Sequence, residues 1–208
     1  MAKREMNEFQ QLVLDKYVRT NKNLLISAPT GVGKSYVAGL IASQEIGYVV
    51  YAVPLRALAL QLAQDINTRI YGEEVATPLI SEVYEDDPDK LYHKVIVTTY
   101  EKLDASIRKK KDWTRNINLM IVDEIHNLGD KERGPAIEND VEFALENEIR
   151  VIAMSATINQ INEVGQWLDA EIINYDKRPV PLYKGIRVGN TIFFDDGEVI
   201  KLKEDLVN

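Results

Sequence analysis

The stretch APTGVGKS, Ala28–Ser35, decides the fold of this chain. It lies between the apolar run Leu24–Ala28 and a helical pattern, so it has to turn the chain tightly from a strand into a helix. Its two glycines permit that turn and let several backbone N–H groups point at one anion. We expect a phosphate-binding loop, and a glycine-rich turn before an ordinary helix is the alternative. The residues expected to hold a nucleotide are Thr30, Gly31, Val32, Gly33, Lys34 and Ser35.

Two side chains of this loop have predicted roles of their own. Lys34 can reach the β- and γ-phosphates of a nucleoside triphosphate, and the Ser35 hydroxyl can bind Mg²⁺. The loop begins with Ala28, where the strict form of the motif has a glycine. A strand before the loop and a helix after it nevertheless favour nucleotide binding over a chance match.

An acidic pair follows a second apolar run. Leu119–Val122 leads directly into Asp123 and Glu124, which places both carboxylates at the carboxyl end of a strand. Ligands of open α/β sheets bind at that end. We expect Asp123 to hold Mg²⁺ through a water, and Glu124 to orient and deprotonate an attacking water. Alone, such a pair is more typical of a solvated loop; together with the phosphate loop it predicts a nucleoside triphosphate site.

Strand and helix patterns alternate along most of the chain, which predicts an α/β fold with a parallel sheet flanked by helices. Near the C-terminus, Asp195-Asp196-Gly197 separates two short strand patterns, and this predicts a β-hairpin. The predicted strands are Leu24–Ala28, Tyr48–Val53, Lys94–Thr98, Leu119–Asp123, Val151–Ser155, Thr191–Phe194 and Glu198–Leu202. The predicted helices are Glu5–Arg19, Lys34–Glu45, Arg56–Tyr71, Glu101–Lys111, Pro135–Asn147 and Asn159–Leu168.

Composition excludes several classes of site. The chain has 208 residues and no cysteine, so it has neither disulfides nor thiolate metal sites. No apolar run approaches 18 residues, and we expect an intracellular protein of the cytoplasm or nucleoid, neither secreted nor membrane-bound. The net charge of −8 argues against a nucleic-acid partner. A basic groove can still coexist with an acidic remainder of the surface.

Asp123-Glu124-Ile125-His126 resembles the DExH box of superfamily-2 helicases. The chain looks like the first motor domain of the Ski-like group, nearest to the archaeal Hjm-type repair helicases. That resemblance implies a RecA-like P-loop NTPase fold, with ATP and Mg as cofactors. Further segments fit in order: Val53–Ala59 resembles motif Ia, Thr98–Leu103 motif Ib, Asn127–Asp130 and Arg133–Pro135 the stretch after the DExH box, and Ser155–Thr157 motif III.

The resemblance also implies roles for single residues. Arg56, Thr99 and Lys102 would contact a nucleic-acid backbone, although Arg56 could be a plain surface arginine and Thr99 a helix N-cap. His126, Ser155 and Thr157 would couple the state of ATP to motion between motor domains, or the two hydroxyls could merely cap turns. Gln10 would read adenine as the glutamine of the Q-motif, whose usual proline is missing in this sequence.

The resemblance divides the chain at residue 178. We expect residues 1–178 to form the first RecA-like domain and residues 179–208 an extended exit segment with a β-hairpin. Motifs of a second RecA-like domain are absent, so we expect a partner domain in a longer parent and weak hydrolysis by this chain alone. The expected substrate is a single strand or an unwinding junction, DNA rather than RNA. An RNA helicase domain or a stand-alone nucleotide-binding accessory module is the alternative.

Overall fold

The computed structural model describes residues 5–80, 94–156, 158, 160–178 and 183–202. It divides into two compact units, Met1–Lys177 and Arg178–Asn208. Of the expectations above, those for Thr157, for Asn159 as the first residue of a helix, and for residues 179–182 and 203–208 of the exit segment fall outside the described residues. Within the described residues, every helix is too short or too polar to cross a bilayer.

The first unit contains a parallel sheet of seven strands in the order β3-β4-β2-β5-β6-β1-β7. This confirms the predicted α/β class. The strands are β1 Asn23–Ser27, β2 Tyr48–Val53, β3 Ala76–Leu79, β4 Val95–Thr99, β5 Ile117–Val122, β6 Arg150–Ser155 and β7 Ala170–Asn174. The α-helices are α1 Glu8–Arg19, α2 Lys34–Gln44, α3 Arg56–Asp65, α4 Tyr100–Arg108, α5 Gly134–Glu146 and α6 Ile161–Trp167.

Helices cover both faces of this sheet, which explains why its central strands are apolar at successive positions. In β5, Leu119 and Ile121 pack with α1, α2 and α3 on one face. Met120 and Val122 pack with α4, α5 and α6 on the other face. The sheet is therefore the middle layer of three, and its carboxyl edge collects the loops that follow each strand.

Three details differ from the predicted elements. The edge strands β3 and β7 were not predicted, because β3 contains Pro78, and β7 is mixed in polarity with one buried residue. The helix that begins at Arg56 is α-helical only to Asp65 and continues as a π-helix over Ile66–Tyr71. The predicted helix Glu5–Arg19 also begins later than expected, since Asn7 is the N-cap and α1 starts at Glu8.

The second unit holds a three-stranded antiparallel sheet in the order β10-β9-β8. Its strands are β8 Gly185–Val188, β9 Thr191–Phe194 and β10 Val199–Lys201. The predicted hairpin is present, since Phe193 pairs with Val199 and Ile192 with Ile200. Gly197 takes a φ of +89° in the turn between them, a conformation that glycine adopts without strain. Strand β8 was not predicted.

Candidate nucleotide-binding site

The phosphate loop leaves β1 and enters α2 through two left-handed glycines. Gly31 has a φ of +85° and Gly33, which caps α2, a φ of +95°. A Cβ added to Gly33 would lie 2.3 Å from Nε2 of Gln10, so a larger residue there would have to displace the end of the Gln10 side chain. The loop needs glycine at position 33 for its left-handed backbone. The loop lies at the start of α2, where the free N–H groups of a helix favour an anion.

Lys34 folds back over this loop. Its Nζ donates hydrogen bonds to the carbonyl oxygens of Ala28, at 2.7 Å, and Pro29, at 3.2 Å. Burial lowers the pKa of the Lys34 ammonium, whereas the nearby carboxylates of Glu124 and Asp123 raise it. The structure thus brings the lysine of the loop and both predicted acids into one electrostatic cluster.

Asp123 and Glu124 form a tight turn at the end of β5. The Asp123 N–H donates to the carbonyl of Ala52 at 2.9 Å, which ties the turn to β2. Glu124 takes a left-handed φ of +49°, and its N–H donates to Oδ1 of Asp123 at 3.0 Å. Burial, and secondly the charge of Glu124, raises the pKa of Asp123 to about 6, while Lys34 acts in the opposite direction. Bound cations would favour the ionised form.

His126 and Ser155 lie beside this turn, as their grouping in the sequence analysis implies. His126 Nδ1 is 3.0 Å from the Ser155 hydroxyl and 3.2 Å from Oε2 of Glu124. The backbone of Ser155 also accepts a hydrogen bond from the N–H of Ala28, at 3.0 Å. Ser155 therefore contacts both the start of the phosphate loop and the histidine of the acidic turn.

Gln10 lies against the loop rather than at a distance from it. Its amide closes a reciprocal capping box with Asn7 at the start of α1, and the side chain is buried. Asn7 Nδ2 also donates to the carbonyl oxygen of Val32 at 2.9 Å. Asn7 was missed in the sequence, although an N-cap residue three positions before a glutamine is the signal of a capping box.

Two tyrosines beneath the acidic turn were also missed. The Tyr51 hydroxyl is fully buried, and burial, followed by the charge of Asp123, raises its pKa well above the usual value. Ser35 is a further neighbour, one that lowers the Tyr51 pKa. The Tyr100 hydroxyl donates to the backbone carbonyl of Asp123. No sequence signal separates these tyrosines from ordinary core aromatics.

The donor set suits a magnesium nucleotide. The Ser35 hydroxyl and the Asp123 carboxylate are oxygen ligands, which Mg²⁺ prefers. Among the described residues there is no cluster of three or more histidine, cysteine or acidic side chains that could hold a metal alone. A divalent cation here would take its remaining ligands from phosphate and water, as Mg²⁺ usually does. The left-handed glycine loop has the backbone geometry that suits an anion such as phosphate.

A groove of about 660 Å³ opens at the neighbouring strand ends. The three residues predicted to contact nucleic acid all line it: Arg56 at the start of α3, and Thr99 and Lys102 at the start of α4. Thr99 also caps α4 by accepting from the N–H of Lys102 at 3.4 Å, so the predicted alternative role is real as well. The groove lining that the sequence did not predict is Pro54, Leu55, Ile80, Glu101, Ala105 and Lys109.

Comparison with known proteins agrees with this geometry. Residues 7–164 match the DEAD/DEAH box helicase family. The "Putative helicase 7" of the Sulfolobus islandicus filamentous virus is 52% identical, over 98% of this chain and 34% of that protein. The ATP-dependent DNA helicase Hel308 of Methanocaldococcus jannaschii is 35% identical, over 92% of this chain and 16% of its own length.

A solved helicase structure has a similar fold. The Hef helicase domain of Pyrococcus furiosus superposes with a TM-score of 0.65 at 25% identity, covering 88% of this chain and 40% of that one. The chain spans about a third or less of the length of the two curated relatives named above. A family match over most of the described residues joins the phosphate loop, the acidic turn and the RecA-like sheet. The chain therefore belongs to the DEAD/DEAH box helicase family.

Proposed function

We propose that this chain is the ATP-binding motor domain of an ATP-dependent nucleic-acid helicase that acts on DNA in repair or recombination. One observation carries the proposal: a lysine–carboxylate cluster and a groove with basic side chains lie at the carboxyl ends of the same sheet. Nucleotide and strand would bind side by side there. The DNA preference rests on the relatives named DNA helicases.

The nucleotide half of the site would work through the loop and the acidic turn. The N–H groups of Thr30–Ser35 would surround the β- and γ-phosphates, and Lys34 would place its charge against them. Ser35 would contact Mg²⁺ directly and Asp123 through a water. Bound Mg²⁺ would neutralise charge on the phosphate oxygens. Gln10, held against Gly33, would be positioned to hydrogen-bond the adenine edge.

Glu124 would act on the water that attacks the γ-phosphate. Its left-handed backbone and the nearby His126 fix the carboxylate beside Asp123. A carboxylate in that position can orient a water and accept its proton. His126, Ser155 and Thr157 would transmit the nucleotide state to a second RecA-like domain in the parent protein. Without that domain we expect slow hydrolysis, because residues from it complete such sites.

The strand half of the proposal is tested by binding. We expect a fluorescein-labelled dT15 oligonucleotide to bind the chain, and the double variant Arg56→Ala/Lys102→Ala to weaken binding on the order of tenfold through lost phosphate contacts. The measurement is fluorescence anisotropy at one fixed salt concentration. Lys22→Ala is the matched control, because Lys22 pairs with Asp169 at the opposite edge of the sheet.

The same titration with a U15 oligonucleotide separates the competing functions. Tighter binding to U15 than to dT15 would favour an RNA helicase domain. Binding of Mg-ADP without binding of either strand would favour a nucleotide-binding accessory module. Equal strand binding by wild type and the double variant would contradict the assignment of the groove.

A further inference from the structure

We infer that Tyr100 is a positioning residue that couples the strand-binding groove to the acidic turn, so that a bound strand changes the affinity for the magnesium nucleotide. The inference deepens the proposed function and rests on it. Tyr100 stands between two groove residues, Thr99 and Glu101, and is fully buried. Its hydroxyl donates to the backbone carbonyl of Asp123. One side chain thus belongs to the groove element and touches the nucleotide site.

The sheet order shows why this contact matters. Strands β4 and β5 are not neighbours, because β2 lies between them. The end of β4 and the end of β5 are therefore about 9–10 Å apart at two strand spacings. The Tyr100 side chain spans that separation and reaches the residue after β5. It provides a direct side-chain link across β2, beside the backbone pairing of the sheet.

The acidic turn is held on several sides, so a shift at one contact has to move the others. The Asp123 N–H is bonded to Ala52, and Asn127 Nδ2 donates to the carbonyl of Glu124 at 3.0 Å. Glu124 itself sits in a left-handed conformation that leaves little freedom. A displacement of the start of α4 would therefore either break the Tyr100 bond or shift the Asp123 carboxylate.

A strand in the groove would act on the start of α4 directly. Thr99 and Lys102 line the groove, and Thr99 caps the helix through the N–H of Lys102. A phosphate that engages these groups would change the position of Tyr100, which follows Thr99 directly. Thermodynamic reciprocity then requires the nucleotide to change strand affinity by the same factor.

The experiment measures that factor. The dissociation constant of a fluorescent ADP analogue with Mg²⁺ is determined without and with saturating dT15, for wild type, Tyr100→Phe and Tyr17→Phe. We expect the wild-type ratio to be about fivefold or more, in the range of ordinary coupling. Tyr100→Phe should bring the ratio within about twofold of one.

Tyr17→Phe is the matched control. Its hydroxyl also donates to an acceptor oxygen, that of Glu45, and Tyr17 lies in α1, outside the groove lining. It should keep the wild-type ratio, so that general loss of a tyrosine hydrogen bond does not explain the result. Tyr100→Met serves as a second hydroxyl-free variant, and circular dichroism checks that each variant is folded.

The outcomes separate this inference from the proposed function. A wild-type chain that binds both ligands with a ratio near one overturns the coupling and leaves the proposed function intact. A Tyr100→Phe chain with the wild-type ratio also overturns it. A wild-type chain that binds neither ligand overturns both. A ratio near one in both Tyr100→Phe and Tyr100→Met, together with the wild-type ratio in Tyr17→Phe, supports the coupling.

Discussion

Two acidic pairs among the described residues of the first unit differ in their surroundings, and one of the two has those of a binding site. Asp123 and Glu124 end β5 and face Lys34 across the phosphate loop. Asp104 of α4 and Asp140 of α5 are buried between two helices. Asp104 is paired with Arg108, whereas neither carboxylate oxygen of Asp140 has a hydrogen-bond partner within the described residues. The Asp123–Glu124 pair thus has a lysine and a glycine loop beside it, and the Asp104–Asp140 pair has no such loop among the described residues.

Burial alone does not distinguish the two pairs. It raises the pKa of Asp123 to about 6, and it raises the pKa of Asp140 well above the usual range, with help from Asp104 and Glu101 and against Arg108. What differs is the set of groups that face each carboxylate. Asp123 faces Lys34 of the glycine loop, whereas Asp140 is buried between α4 and α5. A perturbed acid becomes a candidate site only where complementary groups converge.

The largest effect on nucleotide affinity should come from replacing Lys34 of the phosphate loop. Lys34→Ala removes the only side-chain charge proposed to contact the phosphates, so we expect the affinity for Mg-ADP to fall on the order of 100-fold, the value of a strong charge-assisted contact. Isothermal calorimetry measures it. Lys102→Ala, in the groove, should stay within about twofold of wild type. An equal loss of Mg-ADP affinity in the two variants would show that the nucleotide site and the strand-binding groove are not separate.

Asp140 should affect stability and its pH dependence rather than nucleotide binding. The pKa of Asp140 is higher in the folded than in the unfolded chain. Its carboxyl therefore favours the folded state most below the unfolded pKa, which is about 4, and this contribution is lost as pH rises through the folded pKa. Asparagine does not ionise. The free energy of unfolding of Asp140→Asn relative to wild type should therefore rise by about 1 kcal/mol or more between pH 4.5 and pH 7.

Urea unfolding at several pH values measures this difference. Asp112→Asn is the control, because that side chain is 96% exposed and its removal should leave the pH dependence parallel to wild type. Parallel curves for Asp140→Asn and wild type would show that the carboxyl is not held neutral in the fold. A large loss of Mg-ADP affinity in Asp140→Asn would erase the contrast between the two acid pairs.

The sequence predicts the centre of this fold better than its edges. Strands β1, β2, β4, β5 and β6 are apolar at nearly every position because helices cover both faces, and that pattern is visible without a structure. Strands β3 and β7 lie at the sheet edges, where Pro78 and polar residues are tolerated, so the pattern fades. The change to a π-helix after Asp65 depends on tertiary packing and leaves no local signal.

The candidate site divides in the same way. The phosphate loop and the acidic turn are local motifs, and the sequence therefore predicted that Lys34, Asp123 and Glu124 meet. Tyr51 reaches this cluster from β2 and Tyr100 from the start of α4. In sequence, Tyr51 is one aromatic residue within an apolar run, and Tyr100 follows the predicted strand Lys94–Thr98. Contacts between distant elements of this kind follow only from the sheet order.

The central claim is that Asp123 and the phosphate loop form a magnesium–nucleotide site. It is tested most directly by titrating ADP into wild type, Asp123→Asn and Asp140→Asn, each with Mg²⁺ and with EDTA. We expect Mg²⁺ to raise the affinity about tenfold for wild type and Asp140→Asn, and by less than about twofold for Asp123→Asn, because one charged ligand is lost. A magnesium effect of the same size in Asp123→Asn, or none in wild type, would contradict the account.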